Sequence, residues 1–514
     1  MPLHCYYGYV IIDLQKKLGQ LFFVGFEGYT LTREVKQFLR TVQPGGIIFF
    51  ECNIKNKKQV KKLINEINNC IEIKPFIAVD QEGGSVERLR NICTSLPSMW
   101  GLSKVGLKEL LEVQKIIINE LLELGFNMNF SPVLDVNSNP ANPIIGTRAI
   151  SHKPEIVADY GAKIIELYLK NKIISVAKHF PGHGDLNIDS HLRLPILNKD
   201  KSKLNNFEFI PFKKAIKIKV PVIMLGHIQL PKIENDKKIP SSLSKKIIDG
   251  ILRKELGFKG LIITDELNMK GITKNFSLEQ ALLKAVQAGA DLILLNQFIQ
   301  STSKVYKKIF DNIQKDKHLQ KRIEESYKRI ITMKKQLFIG VKADFVKAGF
   351  KPVSIASTSK HQLLSQNLAS KVVHWIKRDL FFKSVIKNES LEIIYPKTHR
   401  LKKEDIEAIL KTFKTKEFKL YEYGMNPKIQ EIVSINKRLK KNTRKIVITY
   451  DISAWKGQKS LVETFVGNYP DLIIISAGLE NDLELTPKIK NFIAAYAPNY
   501  VSLMAAFNKL FIQK

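Results

Sequence analysis

Eight short apolar runs, separated by amphipathic stretches of helical period, restrict the fold of this chain more than any other feature. They are LFFVGF (21–26), GGIIFF (45–50), PFIAVD (75–80), NMNFSPVLDV (127–136), IISVAKHF (173–180), VPVIMLGH (220–227), GLIITDEL (260–267) and DLILLN (291–296). Near-continuous apolar strands that alternate with helices are typical of parallel sheets. Eight such units predict an α/β fold, a (β/α)8 TIM-type barrel. The alternative is an open doubly wound sheet, but no GxGxxG follows the first run, which argues against a dinucleotide fold.

The pattern changes after about residue 340. The segment VKADFVKAGFKPVSIASTSK is rich in small and turn residues and reads as a connection. Beyond it we expect helices at HQLLSQNLASKVV and KEDIEAILKTF, strands at LEIIYP, FKLYEY and KIVITYD, and a strand-like stretch at NYVSLMAAF. The predicted division is a barrel over 10–340, a linker over 341–360 and a smaller α/β layered domain over 361–514. We find no chemical motif in that smaller domain.

Composition limits the class of protein. Of the 514 residues, 44% are hydrophobic and 25% charged, as in an ordinary soluble globular protein. The formal net charge is +33, but the lysines are spread over the whole chain, whereas nucleic-acid binding gathers basic residues on one face. We therefore predict no nucleic-acid partner. The first residues lack the pattern of a signal peptide and no apolar run reaches the roughly 18 residues of a membrane span, so a cytoplasmic location without membrane insertion is expected.

Polar side chains gather at the end of the predicted strands. Active sites of (β/α)8 barrels lie at the carboxyl ends of the strands, so this clustering predicts a catalytic mouth. The residues at these ends are Asp80, Gln81, Asp135, Lys178, His179, His227, Asp265 and Asn296.

The segment KHFPGHGDLNIDSH (178–191) carries the strongest chemical signal. His179 and His183 have the spacing of two zinc ligands on a helix, but the Pro-Gly pair between them would break that helix, and we predict no metal site. Asp189 and His191 can form a pair in which the carboxylate orients an imidazole for proton transfer. The alternative is that the tripeptide Asp-Ser-His only caps the next element.

Asp265, in IITDELNM, stands at the end of a buried strand. Holding a carboxylate there is costly unless it has a function or a cationic partner. One interpretation is a structural ion pair. The other is an ionised carboxylate that attacks or stabilises a sugar carbon during glycoside cleavage.

Six motifs together resemble a known family. They are VDQEGGSVERL, GFNMNFSPVLDVNSNP, IIGTRAI, KHFPGHGDLNIDSH, VIMLGHI and IITDELNM. Their order is similar to that in glycoside hydrolase family 3, and they look most like its β-N-acetylglucosaminidase branch. The resemblance covers about residues 10–340, and the smaller domain looks like the second α/β domain of many family members.

The resemblance implies a retaining mechanism that needs neither cofactor nor metal. Asp265 matches the nucleophile, His191 the general acid/base and Asp189 its orienting partner. The residues that match contacts to the N-acetylglucosamine are Asp80, Arg88, Arg148, Lys178 and His179. Two positions depart from the usual pattern: Ser85 stands where Arg is usual, and Glu266 where Asp, Ala or Ser is usual.

The implied activity is an exo-acting β-N-acetylglucosaminidase that releases single sugars from short glycans or peptidoglycan fragments. A phosphorylase, in which phosphate replaces water, and a β-glucosidase of the same fold are enzymatic alternatives. A non-catalytic sugar-binding protein is an alternative from another class, but it would be expected to have lost Asp265, Asp189 or His191, all of which are present.

Overall fold

The computed structural model describes residues 14–187, 193–296, 299–339, 355–380, 382–385, 389–398, 400–415 and 417–511. The first ten strands of this part of the chain are β1 (Phe22–Val24), β2 (Gly46–Phe49), β3 (Phe76–Val79), β4 (Gln81–Gly83), β5 (Val86–Glu87), β6 (Met128–Asn129), β7 (Ile174–Phe180), β8 (Val222–Leu225), β9 (Leu261–Thr264) and β10 (Ile293–Leu295). Eight of these described strands form one parallel sheet in the order β10-β1-β2-β3-β6-β7-β8-β9, and β4 pairs with β5 in a separate hairpin.

The sheet closes on itself. A bridge between Ile263 and Leu292 joins the two outer strands, β9 and β10. Each of the eight strands lies inside one of the apolar runs, and their residues are buried, including every residue of β7. The prediction of a (β/α)8 barrel is confirmed.

Several of the helices that surround the barrel begin at a side-chain cap. Thr32 accepts a hydrogen bond from the Val35 amide, and Ser277 with Gln280 forms a capping box. These helices are α1 (Leu14–Gly19), α2 (Arg33–Val42), α3 (Lys57–Cys70), α4 (Met99–Val105), α5 (Leu107–Leu124), α6 (Pro154–Lys170), α7 (Lys201–Asn205), α8 (Phe209–Lys217), a π-helix (Lys246–Glu255), α9 (Lys270–Thr273), α10 (Leu278–Ala288), α11 (Ile299–Ile313) and α12 (Lys317–Ile339).

A second, mixed sheet follows. Its strands are β11 (His374–Lys377), β12 (Leu391–Pro396), β13 (Phe418–Tyr423), β14 (Arg444–Thr449), β15 (Ile473–Ser476) and β16 (Asn491–Ala494), in the order β11-β16-β15-β14-β12-β13. Its helices are α13 (Ile355–Val372), α14 (Lys403–Thr412), α15 (Ile429–Arg438), α16 (Lys456–Asn468) and α17 (Tyr500–Leu510). The second α/β layered unit is thus present. Among the described helices, none has both the length and the apolar character needed to cross a bilayer.

Two details of this unit differ from the prediction. The stretch NYVSLMAAF forms helix α17 rather than a strand, because Asn499 caps its first turn by accepting from the Ser502 amide. Helix α13 begins at residue 355, inside the predicted linker 341–360, whose residues 341–354 lie outside the described ranges. The division into barrel (10–340), linker and second domain (361–514) stays a prediction.

Loops that follow the strands of the second sheet lie against the barrel. Asn499 follows β16, and its side-chain amide donates to the Leu96 carbonyl at 2.7 Å. Glu480 follows β15 and accepts from the Trp100 indole at 3.0 Å. Ser453, shortly after β14, donates to the Pro140 carbonyl at 2.6 Å. The carboxyl edge of the second sheet therefore faces barrel loops near the mouth where the polar strand ends gather.

Candidate active site

A pocket of about 400 Å³ opens at the carboxyl ends of the barrel strands. Six predicted site residues line it: Asp80, Arg88, Arg148, Lys178, His179 and Asp265. Asn296, after β10, lines it too. The structure thus brings together every predicted site residue that it describes. Asp189 and His191 lie outside the described residues, in 188–192.

Four of the side chains near this pocket form a charged cluster, which consists of Asp80, Glu82, Arg148 and Lys178. Lys178 Nζ lies 2.7 Å from Asp80 Oδ1 and 2.6 Å from Glu82 Oε1. Arg148 donates to both oxygens of Glu82, from Nε at 2.9 Å and from Nη2 at 2.8 Å. The arrangement is fork to fork, so the direction of the guanidinium is fixed by the carboxylate.

Two members of the charged cluster, Glu82 and Lys178, are held in their ionised forms. Burial alone would raise the pKa of Glu82, but Arg148 and Lys178 outweigh it and hold that pKa well below its usual range. Burial alone would likewise lower the pKa of Lys178, but Asp80 and Glu82 raise it above its ordinary value. The cluster combines two basic and two acidic side chains, and it offers donors and acceptors for the hydroxyl groups of a neutral ligand.

Local sequence explains how the cluster is built. Lys178 stands near the end of β7, a strand buried along its whole length, with 2% of its side chain exposed. Asp80 follows β3 directly and Glu82 lies two residues on, in the β4–β5 hairpin. Arg148 ends a 3₁₀ turn, Gly146–Arg148, and also donates to the Ile144 carbonyl at 3.1 Å.

His179 is held by a second buried carboxylate, Asp135. Its Nδ1 lies 2.7 Å from Asp135 Oδ2, and the backbone amide of His183 donates to Asp135 Oδ1 at 2.7 Å. Burial would raise the pKa of Asp135, but His179 lowers it below its usual value. Burial lowers the pKa of His183 to about 4, so its ring is neutral at neutral pH. Among the described residues no group of three or more His, Cys, Asp or Glu side chains could hold a metal ion.

Asp265 directly follows β9. Its amide donates to the Leu225 carbonyl at 2.9 Å, and its Oδ1 accepts from the Glu266 amide at 2.8 Å. The first contact fixes the backbone of Asp265 at the strand end, and the second orients its carboxylate in the pocket wall. A nucleophile in a glycosidase needs this restriction, because it must meet one carbon atom of the sugar in line.

Glu266 also lines the pocket and has its own supports. Its carboxyl group accepts from the amides of Asn268, at 2.9 Å, and Asn296, and its carbonyl lies 2.9 Å from His227 Nε2. His227 in turn contacts Ser242 Oγ at 2.6 Å through Nδ1. His227, predicted at a strand end, thus supports the backbone beside Asp265. Burial raises the pKa of Glu266 to about 7.

The sequence analysis missed two residues of this site, Glu82 and Arg400, and it named Asp135 at a strand end without assigning it a role. Glu82 orients the cations and Asp135 orients the imidazole. Glu82 is an acidic residue next to an apolar run, which is the signal that could have marked it. Arg400 lines the pocket although it belongs to the second sheet's unit, four residues after β12. No motif surrounds Arg400, and the sequence contained no signal for its placement.

The chain is similar in sequence to known glycosyl hydrolases over the part that forms the barrel and its pocket. The family model described as "Glycosyl hydrolase family 3 N terminal domain" matches residues 13–333. The chain is 33% identical over 334 residues to "Beta-hexosaminidase A" of Pseudoalteromonas piscicida, an alignment that covers 60% of this chain and only 56% of that protein. It is 34% identical over 275 residues to a "Beta-hexosaminidase" of Neisseria meningitidis, over 52% of this chain and 75% of that protein.

A solved structure covers nearly the whole chain. The glycoside hydrolase family 3 beta-N-acetylglucosaminidase from Paenibacillus sp. str. FPU-7 superposes with a TM-score of 0.85 and 29% identity, over 97% of this chain and 96% of that one. The similarity extends over both sheets. On the family match, the barrel and the pocket together, the chain belongs to glycosyl hydrolase family 3.

Proposed function

We propose that the protein is a retaining, exo-acting β-N-acetylglucosaminidase that releases terminal N-acetylglucosamine from short glycans or peptidoglycan fragments. The observation that carries the proposal is that Asp265 shares one pocket with the charged cluster. The cluster is neutral overall and rich in donors and acceptors, which suits an uncharged sugar. The names of the two curated relatives and of the Paenibacillus enzyme support an N-acetylhexosamine as that sugar.

The proposed reaction has two displacement steps. In the first, an oxygen of Asp265 forms a bond to the anomeric carbon while the bond to the leaving oxygen breaks, and His191 gives that oxygen a proton. In the second, water attacks the same carbon, the bond to Asp265 breaks, and His191 takes the proton of the water. Asp189 orients the His191 imidazole and stabilises its charged form.

The remaining residues hold the sugar. We propose that Arg148 and Lys178 donate to sugar oxygens while Asp80 accepts from a hydroxyl group, and that Arg88 and His179 complete the contacts. Glu82 and Asp135 are positioning residues, since each fixes the direction of a group that lines the pocket. The partner is therefore a glycan that contains N-acetylglucosamine. The cytoplasmic location and the exclusion of nucleic-acid partners stay predictions from the sequence.

The test compares an aryl β-N-acetylglucosaminide with the matching β-glucoside, using Asp265→Asn as the blank. We expect release from the N-acetyl substrate and its loss in the variant, because an amide cannot form the glycosyl ester. Mass spectrometry of wild-type protein treated with a 5-fluoro N-acetylglucosaminyl donor, which keeps the 2-acetamido group, should locate the covalent adduct on Asp265. Preference for the glucoside would contradict the substrate, and full activity of Asp265→Asn would contradict the nucleophile.

A further inference from the structure

Arg400 reaches the barrel pocket from the second sheet's unit and is held there by contacts on two sides. Its guanidinium hydrogen-bonds to the Tyr450 hydroxyl and lies 5.7 Å from the centre of the Tyr450 ring. Its backbone carbonyl accepts from Arg90 Nη1, a barrel residue, at 3.4 Å. Arg90 is itself paired with Glu51 at 2.5 Å. The side chain is thus positioned at the boundary between the two units.

Among the described residues Arg400 forms no salt bridge, whereas Lys178 and Arg148 share Asp80 and Glu82. Asp451, next to Tyr450, is an acidic group that acts on Arg400 through space. Burial raises the pKa of Asp451 to about 8, so that group is mostly neutral at pH 7 and does not balance the guanidinium. A fixed guanidinium without a carboxylate is suited to bidentate binding of a carboxylate or phosphate.

The position of Arg400 indicates which part of a ligand it meets. The charged cluster belongs to the barrel and is almost fully buried, so the terminal sugar is expected to fill that side of the pocket. Whatever is attached to the anomeric carbon then extends away from the cluster, toward the unit that supplies Arg400. An incoming nucleophile in the second step must occupy the same place, since it replaces the leaving group on the same face of the sugar.

We propose that Arg400 is a specificity-determining residue that binds an oxyanion on the leaving-group side of the pocket. The oxyanion is either a carboxylate of the leaving sugar, as in N-acetylmuramic acid, or a phosphate that attacks the glycosyl ester on Asp265 and departs as the glycosyl phosphate. This inference rests on the function proposed above. It assigns recognition of the leaving group, or of the phosphate that replaces it, to the second sheet's unit.

The test uses two substrates that differ by one charge. They are the disaccharide N-acetylglucosaminyl-β-1,4-N-acetylmuramic acid and its methyl ester, which have the same leaving hydroxyl group. The measured quantity is the ratio of kcat/KM for the acid to kcat/KM for the ester. In Arg400→Gln this ratio should fall about tenfold, because a charge-assisted bidentate contact is lost. The ratio for Arg400→Lys should lie between those of Arg400→Gln and the wild type, since lysine keeps the positive charge but cannot form the bidentate contact.

Lys397→Gln is the matched control. It removes the same charge from the same loop, but the Lys397 side chain is 74% exposed and lies 3.7 Å from Glu422, outside the residues that line the pocket. Its acid-to-ester ratio should stay within about twofold of the wild type. A second arm measures glycosyl phosphate formation with inorganic phosphate in the wild type and in Arg400→Gln.

Each outcome decides the proposal. A fall of the ratio identifies the leaving-group carboxylate as the ligand, and loss of glycosyl phosphate formation with an unchanged ratio identifies phosphate. If neither quantity changes in Arg400→Gln, the proposal is wrong. Should that variant fail to fold, a wild-type acid-to-ester ratio near one without a phosphate response overturns it equally. A wild type that releases N-acetylglucosamine from neither disaccharide contradicts the proposed function instead.

Discussion

Glu82→Gln is the substitution for which the structure predicts the largest effect outside the reacting groups. The change removes the negative charge that holds Arg148 and Lys178 together, while Glu82 and Lys178 are each only 2% exposed. Removing one partner of a buried ion pair typically costs about 3–5 kcal/mol of unfolding free energy, because the remaining charge is left uncompensated. Since Gln keeps one oxygen and Asp80 still pairs with Lys178, we expect the lower end, about 3 kcal/mol.

The same substitution should impair the site. Arg148 loses the fork that fixes its direction, and misplacement of a sugar-binding group by about 1 Å can lower the rate by about 10²-fold. We therefore expect kcat/KM on an aryl β-N-acetylglucosaminide to fall by about two orders of magnitude. Denaturant unfolding and initial-rate kinetics on the same preparations measure both effects.

Glu72→Gln is the control for Glu82→Gln. It breaks the Lys16–Glu72 pair, which has a similar N···O distance of 2.8 Å but side-chain exposures of 39% and 66%. Exposed pairs contribute less than about 1 kcal/mol, so this variant should be close to the wild type. Equal unfolding free energies for the two variants would refute the reasoning from burial.

The pH dependence gives a second check on Glu82. Its folded pKa lies below the value of about 4.3 expected in the unfolded chain. The stabilisation is therefore fully present above that value and is lost as the pH falls below it. The difference in unfolding free energy between wild type and Glu82→Gln should be constant from pH 6 to 7 and shrink toward pH 3. A difference that does not shrink would show that charge is not its cause.

The other predictions concern groups close to Asp265. His191→Ala should slow the hydrolysis of substrates with poor leaving groups far more than that of activated aryl glycosides, because the latter need little protonation of the leaving oxygen. Equal losses of rate on both substrate types would count against His191 as the acid. Glu266 has a folded pKa of about 7, so between about pH 4.3 and 7 the folded state binds more protons than the unfolded state, and stability falls as the pH rises. Denaturant unfolding at pH 5 and 7.5 compares Glu266→Gln with the wild type. Between these two pH values the unfolding free energy of the variant should rise relative to that of the wild type by a few kcal/mol. Parallel pH profiles of the two unfolding free energies would contradict the raised pKa of Glu266.

The fold was predictable where burial is uniform. Strand β7 was predicted at its full length because every residue from Ile174 to Phe180 except Ser175 is apolar or lines the pocket, and the Pro-Gly pair terminates it. NYVSLMAAF was predicted wrongly, because a short apolar run is compatible with either a strand or a buried helix. Asn499 favours the helix, because its side chain caps the first turn; the same side chain also hydrogen-bonds to the barrel.

The site was predictable where polar residues lie at the ends of the barrel strands. Strand ends converge in any parallel barrel, so Asp80, Lys178 and Asp265 could be placed together from their positions in the sequence. Which carboxylate pairs with which cation depends on side-chain geometry, and Glu82 therefore emerged only with the structure. The placement of Arg400 depends on how the two sheets pack against each other, and no sequence pattern within either sheet predicts that packing.

The barrel and the second sheet's unit contribute charge to the pocket in different ways. The barrel supplies a cluster whose two cations and two carboxylates neutralise one another, so it can bind an uncharged sugar without selecting for charge elsewhere in the substrate. The second unit supplies a guanidinium without a salt bridge among the described residues, at the boundary of the same pocket. A neutral cluster and an adjacent unbalanced cation discriminate different parts of one ligand. On the roles proposed above, changes in the loop that carries Arg400 would alter the preferred leaving group without any change in the barrel residues that line the pocket.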